Sequence, residues 1–265
     1  MTAVIGLAAA SAAQATPTMR GGIMDDAQTL SIGTRDAAFQ AYRDLGVRMI
    51  RVLLRWDRVA ETQPADPMNP ESYPLEKWAP YDAAVRTAAA DPAHRNEILL
   101  NIYGAPTWAN GGRSYQFAPG GTHLRSFAQA AAARYAGNFP DPDNPGQPLP
   151  RVKFWAAWNE PNLHTFLRPQ WKRVAGRWVS TSPRLYARIC NQTVDGVHAG
   201  QAALPGEVVA CGITSPRGNG KPLSSSPSHT PLAFLRGMKK FRAHFDVYGH
   251  NPYSPKKAPT WKPPR

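Results

Sequence analysis

Residues 155–163 read WAAWNEPNL and place one carboxylate, Glu160, directly after an apolar run. Burying a carboxylate is costly unless it is paired, so an apolar run that ends in one predicts a functional position. Pro161 has no N–H for a β-ladder and restricts the residue before it, which marks a strand end. Because successive strand side chains point to opposite faces, Asn159 and Glu160 reach one pocket only if the strand twists out of register there. A surface salt bridge is the structural alternative for Glu160.

The sequence on both sides of this stretch alternates short apolar runs with amphipathic helical patterns. Strands that are apolar on both faces are typical of parallel sheets covered by helices, and repeated strand–helix–strand units predict one α/β domain. It is either a doubly wound sheet or part of a (β/α)8 barrel. No G-x-G-x-x-G follows the first strand, which weakens the dinucleotide-binding version. The predicted strands cover residues 21–27, 47–56, 97–105, 152–160, 207–214 and 245–253, and the helices between them cover 34–45, 75–90, 122–137, 182–200 and 231–241.

The composition argues against several classes of protein, among them nucleic-acid-binding and membrane-spanning proteins. The chain has 265 residues, a formal net charge of +13 and 42% hydrophobic residues, so it can bury a sizeable core. The basic residues are scattered singly, which argues against a nucleic-acid partner, and no run approaches the roughly 18 apolar residues of a membrane span. Two cysteines cannot form a disulfide scaffold or a metal cluster. Cys190 and Cys211 lie in apolar patterns, so we expect buried free thiols, with a bridge as the alternative in an exported chain.

The first residues resemble a secretory signal. Residues 1–15, MTAVIGLAAASAAQA, are small and apolar and end in an A-x-A pattern before Thr16, although the usual Lys or Arg near the start is missing. A disordered alanine-rich leader is the alternative. We therefore expect an exported, extracellular protein with a signal remnant over residues 1–15 and one domain over 16–265.

Polar and aromatic side chains follow the predicted strands. In parallel α/β folds, chemistry gathers beyond the carboxyl ends of the strands. Acid, amide, imidazole and flat aromatic rings together suit a sugar, because rings stack on its faces while polar groups bind its hydroxyls. If Glu160 is buried beside apolar walls and indoles, its neutral form is favoured, and a general acid requires that form. The alternative for Arg51 is an ion pair with an acid in the core. The alternative for Trp108 is packing in the core, and for His250 it is a buried histidine whose hydrogen bonds are satisfied. The candidates in strand order are Asp25, Asp26, Arg51, Arg55, Trp56, Trp108, Asn159, Glu160, His250, Asn251 and Tyr253.

Four motifs carry a resemblance to a known family. WNEPN after the fourth strand, IRV in the second, PTWAN after the third and GHNPY in the sixth resemble the clan of retaining glycoside hydrolases built on a (β/α)8 barrel, with the cellulase-like and β-xylosidase-like branches most similar. The resemblance runs from residue 21 to about residue 254. It implies a carbohydrate substrate, no cofactor, no metal and a monomer.

The resemblance also implies roles for individual residues. Glu160 corresponds to the general acid/base, and Asn159 to the amide that binds the sugar 2-hydroxyl. Arg51 corresponds to the arginine near the nucleophile, and His250 and Tyr253 to substrate-binding residues of the sixth strand. Trp108, in PTWAN, is the further candidate for substrate binding.

The second carboxylate of a retaining mechanism has no counterpart in the sequence. That group stands about 5–5.5 Å from the first, and the clan places it after a seventh strand, whereas the last acid here is Asp246 in a chain that ends at Arg265. We therefore expect an incomplete barrel with about six strands, cut short at its C-terminal side and inactive as it stands. The alternatives are Asp25 or Asp26 as a substitute acid, a non-catalytic carbohydrate-binding or decayed protein, and, more weakly, a nucleotide-dependent enzyme.

Overall fold

The computed structural model describes residues 19–90 and 96–253, so the predicted signal segment over 1–15 lies outside the described residues. The strands lie close to the predicted ones but are shorter. They are β1 (Gly22–Ile23), β2 (Met49–Arg55), β3 (Glu97–Tyr103), β4 (Phe154–Ala157), β5 (Trp171–Val174), β6 (Arg177–Ser180), β7 (Val208–Thr214) and β8 (Val247–His250).

Six of these strands form one parallel sheet. Its order is β1-β2-β3-β4-β7-β8, so each strand pairs with the next along the chain and only the β5–β6 pair stands apart. The register matches apolar positions, with Ile50 opposite Ile98 and Leu100 opposite Trp155. In a (β/α)8 barrel the strands are neighbours in the order in which they occur along the chain, whereas in a doubly wound sheet the strand order reverses at a switch point. The prediction of an incomplete (β/α)8 barrel is confirmed.

Helices cover the outer face of the sheet. Ile50, Val52 and Leu54 point toward the helices and are buried, while the alternate residues of β2 point into the concave face and remain partly exposed. Within the described part of the chain no helix is long and apolar enough to cross a bilayer. The helices are α1 (Asp26–Thr29), α2 (Arg35–Asp44), α3 (Trp56–Val59), α4 (Leu75–Ala89), α5 (His123–Arg134), α6 (Ser182–Gly200) and α7 (Pro231–Lys240), with 3₁₀ turns at Pro70–Ser72 and Thr107–Ala109.

Stacked aromatic rings and one ion pair form the centre of the helical layer. The Phe127 ring lies parallel to Trp78 at 5.9 Å and to Trp56 at 5.6 Å between centroids. Next to them Arg134 Nε donates to Asp82 Oδ1 at 2.8 Å, and both side chains are almost fully buried. Such a pair satisfies its charges internally, so removing one partner is costly.

Helices α5 and α6 approach each other unusually closely. The approach depends on Gly196 and Gly200, because a Cβ on either glycine would lie 2.4 Å from a carbonyl oxygen of α5. This contact fixes α6 against the sheet beside β7 and beside β4, the strand that leads into Asn159 and Glu160.

The β5–β6 hairpin was not predicted. It inserts between β4 and α6 and turns at Ala175 and Gly176, which have φ of 46° and 79°. Two consecutive left-handed residues are the signature of the type I′ hairpin turn, for which Asn-Gly is the usual sequence. Ala-Gly lacks that signal, and residues 161–181 were therefore not recognised as containing strands.

The expectation of two free thiols is wrong. Cys190 on α6 and Cys211 on β7 form a disulfide, with Cα atoms 6.0 Å apart. The apolar pattern correctly indicates that both are buried, but α6 packs directly on the outer face of β7 and brings the two sulfur atoms together. Bridging distance depends on this packing and cannot be read from the pattern of either element alone.

Candidate active site at the carboxyl ends of the strands

The backbone after β4 turns Glu160 into the rim of the sheet. Trp158 N still donates to Ile102 O at 2.8 Å, as a continuation of the ladder. Trp158 and Glu160 then adopt φ of 62° and 36°. Left-handed conformations cost a non-glycine residue about 1–3 kcal/mol and persist only where the surroundings impose them. The predicted departure from register is confirmed, and these two residues produce it. Glu160 ends 3% exposed.

The Glu160 carboxylate accepts hydrogen bonds from two loops. Asn251 Nδ2 donates to Oε1 at 3.0 Å from the segment after β8, and Arg217 Nη2 donates to Oε2 at 3.3 Å from the loop after β7. These partners are an amide and a guanidinium, whereas the sequence predicts apolar walls and indoles. Because each oxygen accepts one bond, the carboxyl group is held in one orientation toward the rim.

Arg51, Asn101 and Asn159 form a polar network on the concave face. Arg51 Nε donates to Asn101 Oδ1 at 3.0 Å, and Arg51 Nη2 donates to Asn159 Oδ1 at 2.8 Å. Asn101 Nδ2 donates to Trp158 O at 2.8 Å, which supports the left-handed turn. Since Asn159 Oδ1 is occupied by Arg51, its amide nitrogen is the group that remains to donate to a ligand. Arg51 thus pairs with amides, and the core-acid alternative does not describe it.

His250 lies at the same rim, held by a threonine from the neighbouring strand. A register shift between Gly212 and Thr214, where Ile213 has φ of 45°, turns Thr214 toward β8. Thr214 Oγ1 lies 3.0 Å from His250 Nδ1 and 2.9 Å from the Tyr248 hydroxyl. His250 is exposed, so the core-histidine alternative does not hold.

Tyr253 lies near Arg51 and is 62% exposed. Burial lowers the pKa of the Arg51 guanidinium, and the nearby groups of Tyr253, Asp26 and Glu160 act in the opposite direction. The structure therefore brings Arg51, Asn159, Glu160, His250 and Tyr253 to one end of the sheet.

Trp108 is not brought to this site. Its indole nitrogen donates to Ala60 O at 2.8 Å, and its ring meets Trp56 and His123 edge-on at 5.8 and 5.3 Å. The 3₁₀ turn Thr107–Ala109 directs the ring into the aromatic core, which is the packing alternative.

Asp25 and Asp26 hold the junction of α1 and β2. Asp25 Oδ1 accepts from Gln28 N at 3.2 Å as a helix cap, and Asp26 Oδ1 accepts from Leu53 N at 3.2 Å. Burial raises the pKa of Asp26, against the opposing effects of that backbone bond and of Arg51. Neither acid makes a hydrogen bond to Glu160. In the described ranges, 19–90 and 96–253, no three His, Cys, Asp or Glu side chains are placed to hold a metal ion.

Sequence reasoning missed the asparagine that joins the turn after β4 to the loop after β7. Asn162 is fully buried; its Nδ2 donates to Ser215 O at 2.8 Å and His229 O at 2.9 Å, and its Oδ1 accepts from Ser215 N at 2.8 Å. It thereby fixes the loop that delivers Arg217. The only sequence signal was its place in WNEPN. Arg217 itself lies in a polar loop whose composition predicts no partner.

Proteins similar to this chain are found among solved structures, and the likeness is one of fold. No protein-family model and no curated protein matches the chain. Among solved structures, a monomeric β-xylosidase from Caulobacter crescentus CB15 superposes with a TM-score of 0.55 and 15% identity, over 89% of this chain and 41% of that chain. A GH39 β-xylosidase from Caulobacter crescentus gives 0.52 and 15%, over 88% and 45%. This chain thus spans less than half the length of either. The likeness supports the fold assignment of this chain as an incomplete (β/α)8 barrel.

Proposed function

We propose that this chain carries the acid/base half of a retaining glycoside hydrolase site that acts on β-linked poly- or oligosaccharides. The observation that carries the proposal is the constellation of Glu160, Asn159, Arg51, His250 and Tyr253 at one end of a parallel sheet whose fold resembles that of β-xylosidases. A buried carboxylate beside polar donors and an exposed aromatic ring is suited to binding and protonating a glycoside.

In this proposal Glu160 donates its proton to the glycosidic oxygen as the bond to the sugar breaks. As the carboxylate it then takes a proton from the attacking water, which is the role change of the retaining mechanism. Asn159, whose carbonyl is held by Arg51, donates its amide N–H to the sugar 2-hydroxyl. His250, fixed through Nδ1 by Thr214, presents its other face to the substrate.

The proposed reaction needs a second carboxylate as nucleophile. Asp25 and Asp26 hold α1 and β2, and no acid follows Asp246 in the sequence. We therefore propose that the nucleophile is not in this chain and that the 265 residues alone hydrolyse glycosides poorly. A non-catalytic carbohydrate-binding or decayed protein is the second candidate, and the same missing acid favours it.

We further propose that the protein is exported. The Cys190–Cys211 disulfide supports this, because disulfides persist mainly outside the reducing cytosol.

The test compares the purified chain with its Glu160→Gln variant on aryl β-glycosides and on binding of β-linked oligosaccharides. We expect both proteins to bind and neither to release the aryl group at a useful rate. Cleavage by the parent that the variant loses would reveal a substitute acid within the chain and make Asp25 and Asp26 the next residues to mutate. Failure of both folded proteins to bind any β-linked sugar would overturn the proposal.

A further inference from the structure

The β5–β6 hairpin is anchored at its base to the loop that reaches Glu160. The Trp171 ring stacks on His229 at 4.2 Å and 13°, and the Ser180 hydroxyl lies 2.7 Å from His229 Nε2. Gln170 Nε2, at the start of the hairpin, donates to Pro161 O at 2.8 Å. The hairpin therefore stands at the rim where the candidate active site lies.

One face of the hairpin continues from this anchor into solvent. Trp171 is opposite Ser180, and Arg173 is opposite Trp178. Because residues two apart on a strand share a face, Arg173 and Trp178 extend the face that Trp171 and Ser180 begin. Trp178 is 40% exposed, and no aromatic or cationic group of the described residues stacks on its ring. An exposed indole and a guanidinium thus lie directly across from each other.

The hairpin also carries unbalanced positive charge. Lys172, Arg173 and Arg177 are exposed, residues 171–180 contain no acid, and no carboxylate in the described ranges forms a salt bridge with these three. Val174 and Val179 add exposed apolar surface, at 49% and 46%, on the face opposite Trp178. A two-stranded hairpin of this kind buries little of its own apolar area, and an exposed apolar and cationic patch indicates a binding surface.

We propose that the face of the hairpin that carries Arg173 and Trp178, called the hairpin platform, binds an acidic polysaccharide that carries carboxylates. Lys172 and Arg177, on the opposite face, add positive potential to it. The Trp178 indole stacks on a sugar face, and the Arg173 guanidinium directly across from it binds a carboxylate with paired hydrogen bonds. The platform deepens the proposed function, since it rests on a carbohydrate substrate and adds that this carbohydrate is anionic. It adds affinity next to the cleft and plays no part in bond cleavage.

The probes are polymannuronate, an acidic polysaccharide with β-1,4 linkages, and its esterified form, which keeps the sugar backbone and removes the charge. Binding of the whole 265-residue chain is measured by titration at low and moderate salt. Trp178→Ala should weaken binding of both polymers by about tenfold. Arg173→Gln combined with Arg177→Gln should weaken only the free acid, by about tenfold or more, and reduce its salt dependence. The matched control removes the same charge from α7, with Arg236→Gln and Lys239→Gln, and should leave both affinities unchanged.

Each outcome decides the proposal. Equal loss of affinity in the control pair would show that net charge alone binds the polymer, and the platform would be excluded. Unchanged binding in both platform variants would exclude it as well. Tighter platform-dependent binding of single-stranded nucleic acid or anionic vesicles than of polymannuronate would assign the surface to another class of partner. Because Glu160→Gln should bind polymannuronate like the parent, failure of the catalytic proposal leaves this result unaffected.

Discussion

Acidification should begin to destabilise the fold near pH 6.5, above the range in which carboxylates titrate, because the folded protein disfavours protonation of His229. His229 is 3% exposed, and burial lowers its pKa to about 4. Gln170 uses its Nε2 to donate to Pro161 O, so its Oε1 accepts from His229 Nδ1 at 2.9 Å. The ring is therefore neutral with its proton on Nδ1, and Nε2 accepts from Ser180. A second proton would place a charge in this buried contact.

The loss of stability on acidification has its sign and size set by the difference between the pKa of His229 in the folded and in the unfolded chain. A free histidine titrates near 6.5, so between about pH 6.5 and pH 4 the unfolded chain binds more protons than the folded one. The free energy of unfolding then falls as the pH falls, by about 2 kcal/mol from pH 7 to pH 5 and about 3 kcal/mol once both states are protonated.

The assay is urea unfolding at pH 7, 6 and 5 for the parent, His229→Gln and the control His198→Gln, whose histidine is exposed. The His229→Gln variant should start less stable at pH 7, because it loses the ring stack and two hydrogen bonds, but it should lose about 2 kcal/mol less on acidification. The control should follow the parent. Identical pH slopes in the parent and His229→Gln would refute the reasoning.

Three further changes probe the parts of the fold that position the site. Replacing Cys190 and Cys211 by alanine should lower the unfolding free energy by about 3 kcal/mol for the loop they close, and the melting temperature by about 6 °C; an excess of reductant should lower the parent's melting temperature but not the variant's. Asp82→Asn should cost about 3–5 kcal/mol, because it leaves Arg134 buried without its charge partner, and equal stability in urea unfolding would contradict this. Asn162→Ala should cost about 2–3 kcal/mol and raise protease sensitivity in the loop after β7, and an unchanged digestion pattern would show that it does not hold that loop.

The sequence predicts the sheet well because its signals are local. Each strand of the main sheet is an apolar run, and each is separated from the next by a helical pattern, so order and direction follow from topology rules alone. The position of Glu160 at a strand end is equally local, since Asn159 and Pro161 flank it. Its burial, and its approach to His250 and Tyr253 at one rim, follow from the parallel direction of the strands.

The parts that were missed depend on contacts between distant segments. Arg217 lies 57 residues from Glu160 and reaches it through a polar loop that carries no periodicity. Trp108 follows a strand like the other candidates, but its 3₁₀ turn directs the ring into the core. The disulfide needs the packing of α6 on β7, and the hairpin turns at Ala175 and Gly176 without the usual turn residues. Tertiary packing decides each of these outcomes.

The most direct test of the central claim supplies the nucleophile from solution. If Glu160 is the general acid of a retaining site whose second carboxylate is not in this chain, a small anion such as azide can attack the anomeric carbon in its place. The purified chain should then cleave an aryl β-xyloside or β-glucoside only in the presence of azide, and the product should be the α-glycosyl azide, identified by NMR. Glu160→Gln should lose this activity for a leaving group that needs protonation, while Arg236→Gln retains it. Azide-dependent turnover that survives in Glu160→Gln, or none in a parent that binds the glycoside, would contradict the account.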